Sequence, residues 1–491
     1  SLLGFIHQVR FRQRICTTRA FLETSYPSAP CDALNSLHTT AAMAALLLIT
    51  TAALAAVVTV HGLSPAELLS RGEALQSWLV EQRRELHKLP EPGFQEFSTH
   101  SRIVRFLEAH NIPYSYPYAK TGIVAQIGSG KPVVAIRTDM DGLPIQEPEG
   151  LPFKSQKDGW MHACGHDGHM TMAMGAAKLL WEAHQAGELP PGSAHIVFQP
   201  AEEGGAGGDL MIQEGALDDV DAAFGLHVMP HLPSGSLHSR PGTIMAGALS
   251  FRVVVAGRGG HAAMPHLNVD PVVAAAGLMS ALQTVVSRET SPLGSGVLSI
   301  TMLRAGDAYN VIPDSVMFGG TIRGLTHEHL MFMKRRLEEM APAVASGYGC
   351  NATVDWRLDE QPYYPPTVND ERMANFAMQT AASLLGPAQV QLAEPLMTGE
   401  DFAFFCRKVP CALMFLGIRN ESVGSVHALH SPKFTLDEGV LHKGAALHAS
   451  IALEYLKTFG GQGQQGKEEE REKAADAADA APSAEHDKDE L

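Results

Sequence analysis

Apolar positions first fall into helical register just beyond Ser64. Leu68, Leu75, Trp78, Leu79 and Leu86 recur at helical spacing. The preceding Ser64-Pro65-Ala66-Glu67 has the form of a capping box with proline in the first turn. A second helix is expected over residues 101–109, then strands over 122–128 and 132–137. The latter is a near-continuous apolar run, as a buried strand of a mixed sheet requires. A helix over 168–184, a strand over 194–199, a glycine-rich loop, a helix near Leu210 and a strand over 220–227 follow. Alternating strands and helices predict an α/β layered domain.

The pattern changes near Leu249. A strand (251–256), a helix (271–288), a strand pair (297–304 and 316–323), a helix (327–346) and a strand (352–358) follow in turn. The order β-α-β-β-α-β is that of a ferredoxin-like unit. After about Pro365 the α/β pattern resumes and runs to Phe459. The expected architecture is an α/β catalytic domain with a mixed sheet in two parts, 63–248 and 362–460. A ferredoxin-like lid domain, 249–361, interrupts it.

Composition narrows the classes. The chain has 491 residues, 45% apolar and 18% charged, enough to bury more than one core. Global disorder is excluded, and one long apolar run excludes a polytopic membrane protein. A formal charge of -16 argues against a nucleic-acid-binding body. The two ends read as addresses. Residues 1–42 carry Arg10, Arg12, Arg14 and Arg19 ahead of the first methionine, Met43. They are read as an upstream extension of the gene model, an organelle transit peptide being the alternative. From Met43, MAALLLITTAALAAVVTVHG is uncharged and short for a spanning helix, so 43–62 are expected to be a signal peptide. Residues 461–491 form an acidic low-complexity tail closing in KDEL, read as an endoplasmic-reticulum retention signal. Together they predict a soluble protein of that lumen, with no permanent membrane span and with the KDEL receptor as a partner.

Five motifs carry the residue types of metal sites. Cys164 and His166 stand two apart in MHACGHDGH, and thiolate with imidazole suits borderline divalent metals. A loop with a buried cysteine is the alternative. Glu202 and Glu203 are adjacent carboxylates after a buried strand. Their repulsion calls for a cation. One could bind it while the other acts as general base; an acid-favouring helix N-terminus is the alternative. His227 ends a strand and His430 lies in HALHSP, and both gain weight only from the first two motifs. Asp139 and Asp141 close the buried strand, where a carboxylate could orient a ligand histidine through its second nitrogen. In the lid, His261, Asn310 and Arg323 are types that bind a carbonyl oxygen or a carboxylate, or else simply turn and surface residues.

In order, ACGHDGH, QPAEEGG, GLH, GRGGHAAMPH, NVIPD, TIRG, TGEDFAFF and LHSPKF resemble the amidohydrolase branch of the two-metal aminoacylase/carboxypeptidase family. That branch includes bacterial hippurate hydrolases and plant auxin-conjugate (IAA-amino acid) hydrolases, and the resemblance spans roughly residues 68–457. It implies a metallopeptidase-type catalytic domain and a pair of divalent ions, manganese expected, with zinc, cobalt or magnesium as alternatives. Their implied ligands are Cys164, His166, Glu203, His227 and His430, with Cys164 as the bridge. Glu202 is the implied general base. His261 would polarise the scissile carbonyl, within its own subunit or across a dimer, and Asn310 and Arg323 would hold the substrate's end. Lid closure would complete the site. The chain would be a monomer or a homodimer.

The retention signal sharpens the substrate, because bacterial members of the branch need none. The expected reaction is hydrolysis of indole-3-acetyl-amino acids to auxin and an amino acid. The rivals are a general N-acyl-amino acid or dipeptide hydrolase and a non-catalytic lumenal binding protein. The Glu202-Glu203 pair argues against the second, since storage needs no general base. In an oxidising lumen Cys406 and Cys411 could pair, and Asn351 and Asn420 begin glycosylation sequons.

Overall fold

Ser64 caps the first helix as its sequence predicts. Its hydroxyl accepts from Glu67 N at 3.3 Å, and the Glu67 carboxylate takes Ser64 N at 2.9 Å. The computed structural model describes residues 63–460. The expected upstream extension, signal peptide and KDEL tail lie outside the described residues. The apolar run read as one helical face divides at Leu75 into α1 (Pro65–Ala74) and α2 (Gln76–His87). There Leu75 N reaches back three residues to Gly72 O at 2.9 Å, which tightens the last turn of α1.

The chain continues through α3 (Phe97–Ala109), β1 (Tyr114–Tyr118), β2 (Gly122–Ser129), β3 (Val133–Asp139), α4 (His166–Gln185) and β4 (Gly192–Gln199). After a tight turn come α5 (Gly207–Gln213), β5 (Ala222–Pro233), β6 (Leu237–Ser239) and β7 (Gly242–Met245). Strand β8 (Gly247–Ala256) opens a second sheet, followed by β9 (Gly260–His261), α6 (Pro271–Thr284), β10 (Gly296–Ala305), β11 (Val311–Ile312), β12 (Ser315–Gly324), α7 (His327–Gly347) and β13 (Asn351–Asp355). The first sheet is then completed by β14 (Thr367–Asn369), α8 (Glu371–Leu385), β15 (Val390–Leu392), α9 (Phe402–Lys408), β16 (Cys411–Arg419) and α10 (Leu441–Gly460); β14 itself pairs only with β7.

The large sheet has the order β1-β2-β4-β3-β5-β16-β6-β15. Its centre, β4-β3-β5-β16, is parallel, and β2 and β6 add antiparallel neighbours. This is the expected mixed sheet. Every residue of β3 and β4 is buried, because helices cover both faces, and that is why apolar residues do not simply alternate with polar ones in Val133–Ile136 and Ile196–Phe198. Strand β8 reads differently. Leu249, Phe251, Val253 and Val255 are buried and alternate with more exposed residues, since only one face of the second sheet is covered. That sheet is antiparallel, in the order β10-β12-β8-β13, with α6 and α7 packed against it around a core of its own. The helix expected to reach residue 288 ends at Thr284 and closes in a π turn, Val285–Glu289.

The chain crosses between the two sheets twice, and the crossings touch. Ala248 N donates to Tyr364 O at 2.8 Å and Tyr364 N to Ala248 O at 3.1 Å. Cys406 and Cys411 form a disulfide, while Cys164 and Cys350 are free. Among the described residues no helix is long and apolar enough to cross a membrane.

Candidate active site and metal centre

Three parallel strands deliver the site. Strands β3, β4 and β5 run in one direction, so Asp139, the turn after Gln199 and His227 gather toward one edge of the sheet. Such a carboxyl edge is where open α/β sheets hold ligands. Gly165, at φ +89°, swings the chain into α4 so that His166 is its first residue. A side chain there would strike Val228 Cγ2 at 2.6 Å, so the ACGH turn needs glycine for both space and backbone shape.

Hydrogen bonds fix which nitrogen each histidine presents. His166 Nδ1 lies 2.9 Å from Asp141 O, and His227 Nδ1 lies 2.8 Å from Val228 O. A carbonyl only accepts, so both Nδ1 atoms carry the hydrogen and both Nε2 lone pairs face the site. His227 Nε2 is 3.4 Å from Cys164 Sγ. His430, at φ +59°, is held by its amide on Ala163 O at 2.9 Å, and its Nε2 is 3.0 Å from Glu203 Oε1. Cys164, His166 and His227 converge with ligand atoms within 4.8 Å of one another, and so do Cys164, Glu203 and His430. Cys164 belongs to both groups.

The chemistry of this set fits divalent cations. His166 Nε2 is buried and makes no hydrogen bond, a cost that native sites leave only where something else pairs with the atom. Burial and the charges of Glu203 and Glu202 push the Cys164 thiol well up. Burial, with Glu400, Glu203 and Asp401, pushes Glu202 well up against the pull of Arg137. Burial opposes charge on His166, yet Asp139, Asp141 and Glu203 carry it up to about 10. Protons thus gather where the cluster lacks positive charge, and proton and cation compete for such sites.

The turn bearing Glu202 and Glu203 is strained. Ala201 and Ala206 are left-handed at φ +52° and +50°, which costs an L-residue about 1 kcal/mol each. Gly207 could carry no side chain, because its Cβ would lie 1.8 Å from Pro200 O. Buried acceptors hold this shape. Glu96 takes Ala201 N at 2.9 Å, the two oxygens of Asp141 take Glu202 N and Glu203 N at 3.0 Å each, and Asp401 takes Gly208 N at 2.9 Å. A cleft of about 570 Å³ opens beside the turn, with Glu202, Glu203 and His430 on one wall and Ser250, Thr321 and Arg323 of the second sheet on the other.

Residues 135–454 match the profile of peptidase family M20/M25/M40. The chain belongs to that family. An IAA-amino acid hydrolase of Arabidopsis thaliana (ILR1-like 4) is 43% identical over 380 residues, 77% of this chain and 86% of that protein. N-acetylcysteine deacetylase of Bacillus subtilis is 40% identical over 389 residues, 79% of this chain and 99% of that one. A solved dinuclear metal-binding peptidase of the M20 family from Bacillus subtilis aligns with a TM-score of 0.67 and 36% identity, over 79% of this chain and all 100% of that one.

Not every residue singled out in this M20-family sequence reaches the cleft. His261 and Asn310 are exposed neighbours on the β9–β11 ribbon, where Ala262 N bonds Asn310 O at 3.0 Å and Ala263 N bonds His261 Nδ1 at 3.1 Å. Neither lines the cleft. Asp139 does orient a histidine, but it is His169, at 2.7 Å; the other nitrogen of that ring accepts Val228 N at 2.9 Å. With both nitrogens engaged, His169 has no lone pair left for a metal. His166 Nδ1 is held by Asp141 from two sides, its carbonyl at 2.9 Å and its carboxylate at 3.4 Å. Four residues given no role in the sequence also prove central. Arg137 bonds Asp139 at 2.8 Å, Asp401 at 2.7 Å, Glu400 at 3.0 Å and Gln199 at 2.8 Å while almost wholly buried. Glu400 and Asp401 sit in the TGEDFAFF segment already noted, and Tyr364 had no motif at all.

Proposed function

We propose that this chain hydrolyses the amide bond of indole-3-acetic acid–amino acid conjugates, giving free auxin and an amino acid. The pair of ligand groups sharing Cys164, with Glu202 beside them, carries this reading. The IAA-amino acid hydrolase relative, at 43% identity, supports the substrate class. Cys164, His166, Glu203, His227 and His430 would hold two divalent ions, manganese being the expected metal. Bound there, the ions supply the Lewis-acid charge that activates water and polarises an amide carbonyl. Glu202 takes the proton of the attacking water and returns it to the leaving amine nitrogen, so the amino acid departs neutral at that atom. Arg323 pairs with the carboxylate of the amino acid. An apolar recess of about 360 Å³ adjoins the cleft through Leu396 and Thr398, and its Met229, Val426 and Leu429 suit an indole ring. For His261 to polarise the carbonyl and Asn310 to hold the substrate's end, the ribbon must come to the cleft, by closure of the four-stranded unit as a lid or from a second copy in a homodimer. We place the protein in the endoplasmic-reticulum lumen. The disulfide supports an oxidising compartment, and microscopy of a fusion that keeps the KDEL end free tests it.

The test of function is turnover of IAA-alanine, IAA-leucine and hippurate by protein loaded with manganese, with and without chelator. Release of indole-3-acetic acid that stops on chelation is expected. Cleavage of hippurate alone would favour the general N-acyl-amino acid hydrolase, a reading the deacetylase relative supports. Glu202→Gln is expected to lower kcat by about 100- to 10,000-fold with metal content unchanged. Full activity in that variant removes the general-base role.

A further inference from the structure

The turn that carries Glu202 is held from several sides, and one of the ties comes from the junction between the two sheets. Gly204 N and Ala206 N each point at Tyr364 Oη, at 3.0 Å, and Tyr364 Oη lies 2.5 Å from Glu202 O. Two amides can only donate and a carbonyl can only accept. The hydroxyl proton must therefore go to Glu202 O, and the one donor and two acceptor sites of the hydroxyl are all used. The ring is 8% exposed and stands edge-on to Phe404, with centroids 6.2 Å apart. The other acceptors for this turn, Glu96, Asp141 and Asp401, belong to the chain around the large sheet. Tyr364 alone among them has its backbone in the crossing, paired in both directions with Ala248 one residue into β8.

We propose that Tyr364 is a positioning residue that couples the placement of the four-stranded unit to the aim of the Glu202 carboxylate. The inference rests on the reading of Glu202 as general base. A rotation of the four-stranded unit must pass through the Ala248–Tyr364 bridge. From there the phenol transmits it to the three peptide groups of 202–206. That turn already holds left-handed Ala206 in place, so losing the hydroxyl frees a strained backbone to relax. Catalysis is sensitive to such a change, since a displacement of about 1 Å can cost on the order of 100-fold in rate. Tyr364 lines the cleft, but its hydroxyl is spent on the turn and the aromatic ring is kept in Tyr364→Phe, so binding is not expected to follow.

Tyr364→Phe keeps the ring and removes the node. The expected result is a kcat lower by about 10- to 100-fold with KM within about twofold. In metal-free protein, amide hydrogen exchange across residues 202–206 is expected to quicken while the β3 and β4 amides stay protected. Adding Tyr364→Phe to Glu202→Gln is expected to leave the residual rate unchanged, because both act through one carboxylate. A merely structural hydroxyl predicts a lower melting temperature with wild-type kcat and KM, and that result overturns the proposal. So does a change in KM alone, or a further loss of rate in the Glu202→Gln background. Full activity of Glu202→Gln by itself overturns the general-base reading. Normal kcat in Tyr364→Phe beside an inactive Glu202→Gln overturns only the coupling.

Discussion

At single residues, function is decided by which nitrogen or oxygen is left without a neighbour. His166 and His227 each give one nitrogen to a carbonyl and keep the other for the cluster around Cys164, whereas His169 spends both on the fold. His448, buried in α10 with its Nδ1 unpartnered, belongs to neither class. Burial pushes it down to about 3, so it stays neutral in the native state at any ordinary pH. In the unfolded chain a histidine takes its proton near pH 6.5. Above that pH the two states bind equal protons and His448 adds no pH-dependent cost. Between about 6.5 and 3 the unfolded state binds one more, so stability falls on acidification by about 1.4 kcal/mol per pH unit. His448→Leu is expected to flatten the acid side of the stability curve by that amount. Urea unfolding of metal-free protein at several pH values between 4 and 7 measures it, and an unchanged slope would mean the native state protonates His448 as readily as the unfolded one does.

At the scale of elements, Arg137 binds the end of β3 to the end of β4 and the start of α9. It is 3% exposed and faces the carboxylates of Asp139, Glu400 and Asp401. Arg137→Met fills similar space and leaves these anions uncompensated, which is expected to cost about 3–5 kcal/mol in denaturant unfolding. Glu400→Gln in the same chain should recover part of that loss, because one fewer buried charge then lacks a partner. The tie also shows what could be read before folding. The near-continuous apolar run over 132–137 announced a buried strand of a mixed sheet, but nothing in it gave Arg137 a role. The candidate turns at 161–169 and 198–205 were legible because each packs several metal-type residues into a few positions, and His227 and His430 gained weight from them. Tyr364 and Asp401 were not, for their contacts with Gly204 and Arg137 span 160 and 264 residues. Strands β6, β14 and β15 have three residues each, too few for a period to emerge. His261 and Asn310 stood in recognisable segments, but a segment does not say where its ribbon lies relative to the cleft.

At the scale of the whole molecule, the cleft has one wall from each sheet, and among the described residues the second sheet contributes the only guanidinium lining it. Arg323 NH1 bonds Met397 O at 3.2 Å, and Arg323 makes no ion pair among the described residues. Burial lowers its pKa, the mark of a cation that is partly desolvated without an anion beside it. The two fully buried arginines among the described residues are answered; Arg83 meets Asp167 and Arg137 meets three carboxylates. The half-buried, unanswered Arg323 facing a cleft is suited to an anion that arrives with the substrate, and an amino acid conjugate brings a free carboxylate. A charge-assisted hydrogen bond of this kind is worth about 1.5–3 kcal/mol. Arg323→Ala is therefore expected to lower kcat/KM for IAA-alanine by about 10- to 100-fold, mainly through KM, and Arg323→Lys should recover part of it. The carboxamide of the same conjugate supplies the control. It should be a poor substrate for the wild type and no poorer for Arg323→Ala, because it has no charge for the guanidinium to hold. Equal losses on acid and amide would mean that Arg323 shapes the wall through Met397 rather than reading the substrate. The two walls would then divide the work differently, with recognition as well as chemistry left to the sheet that bears Glu202.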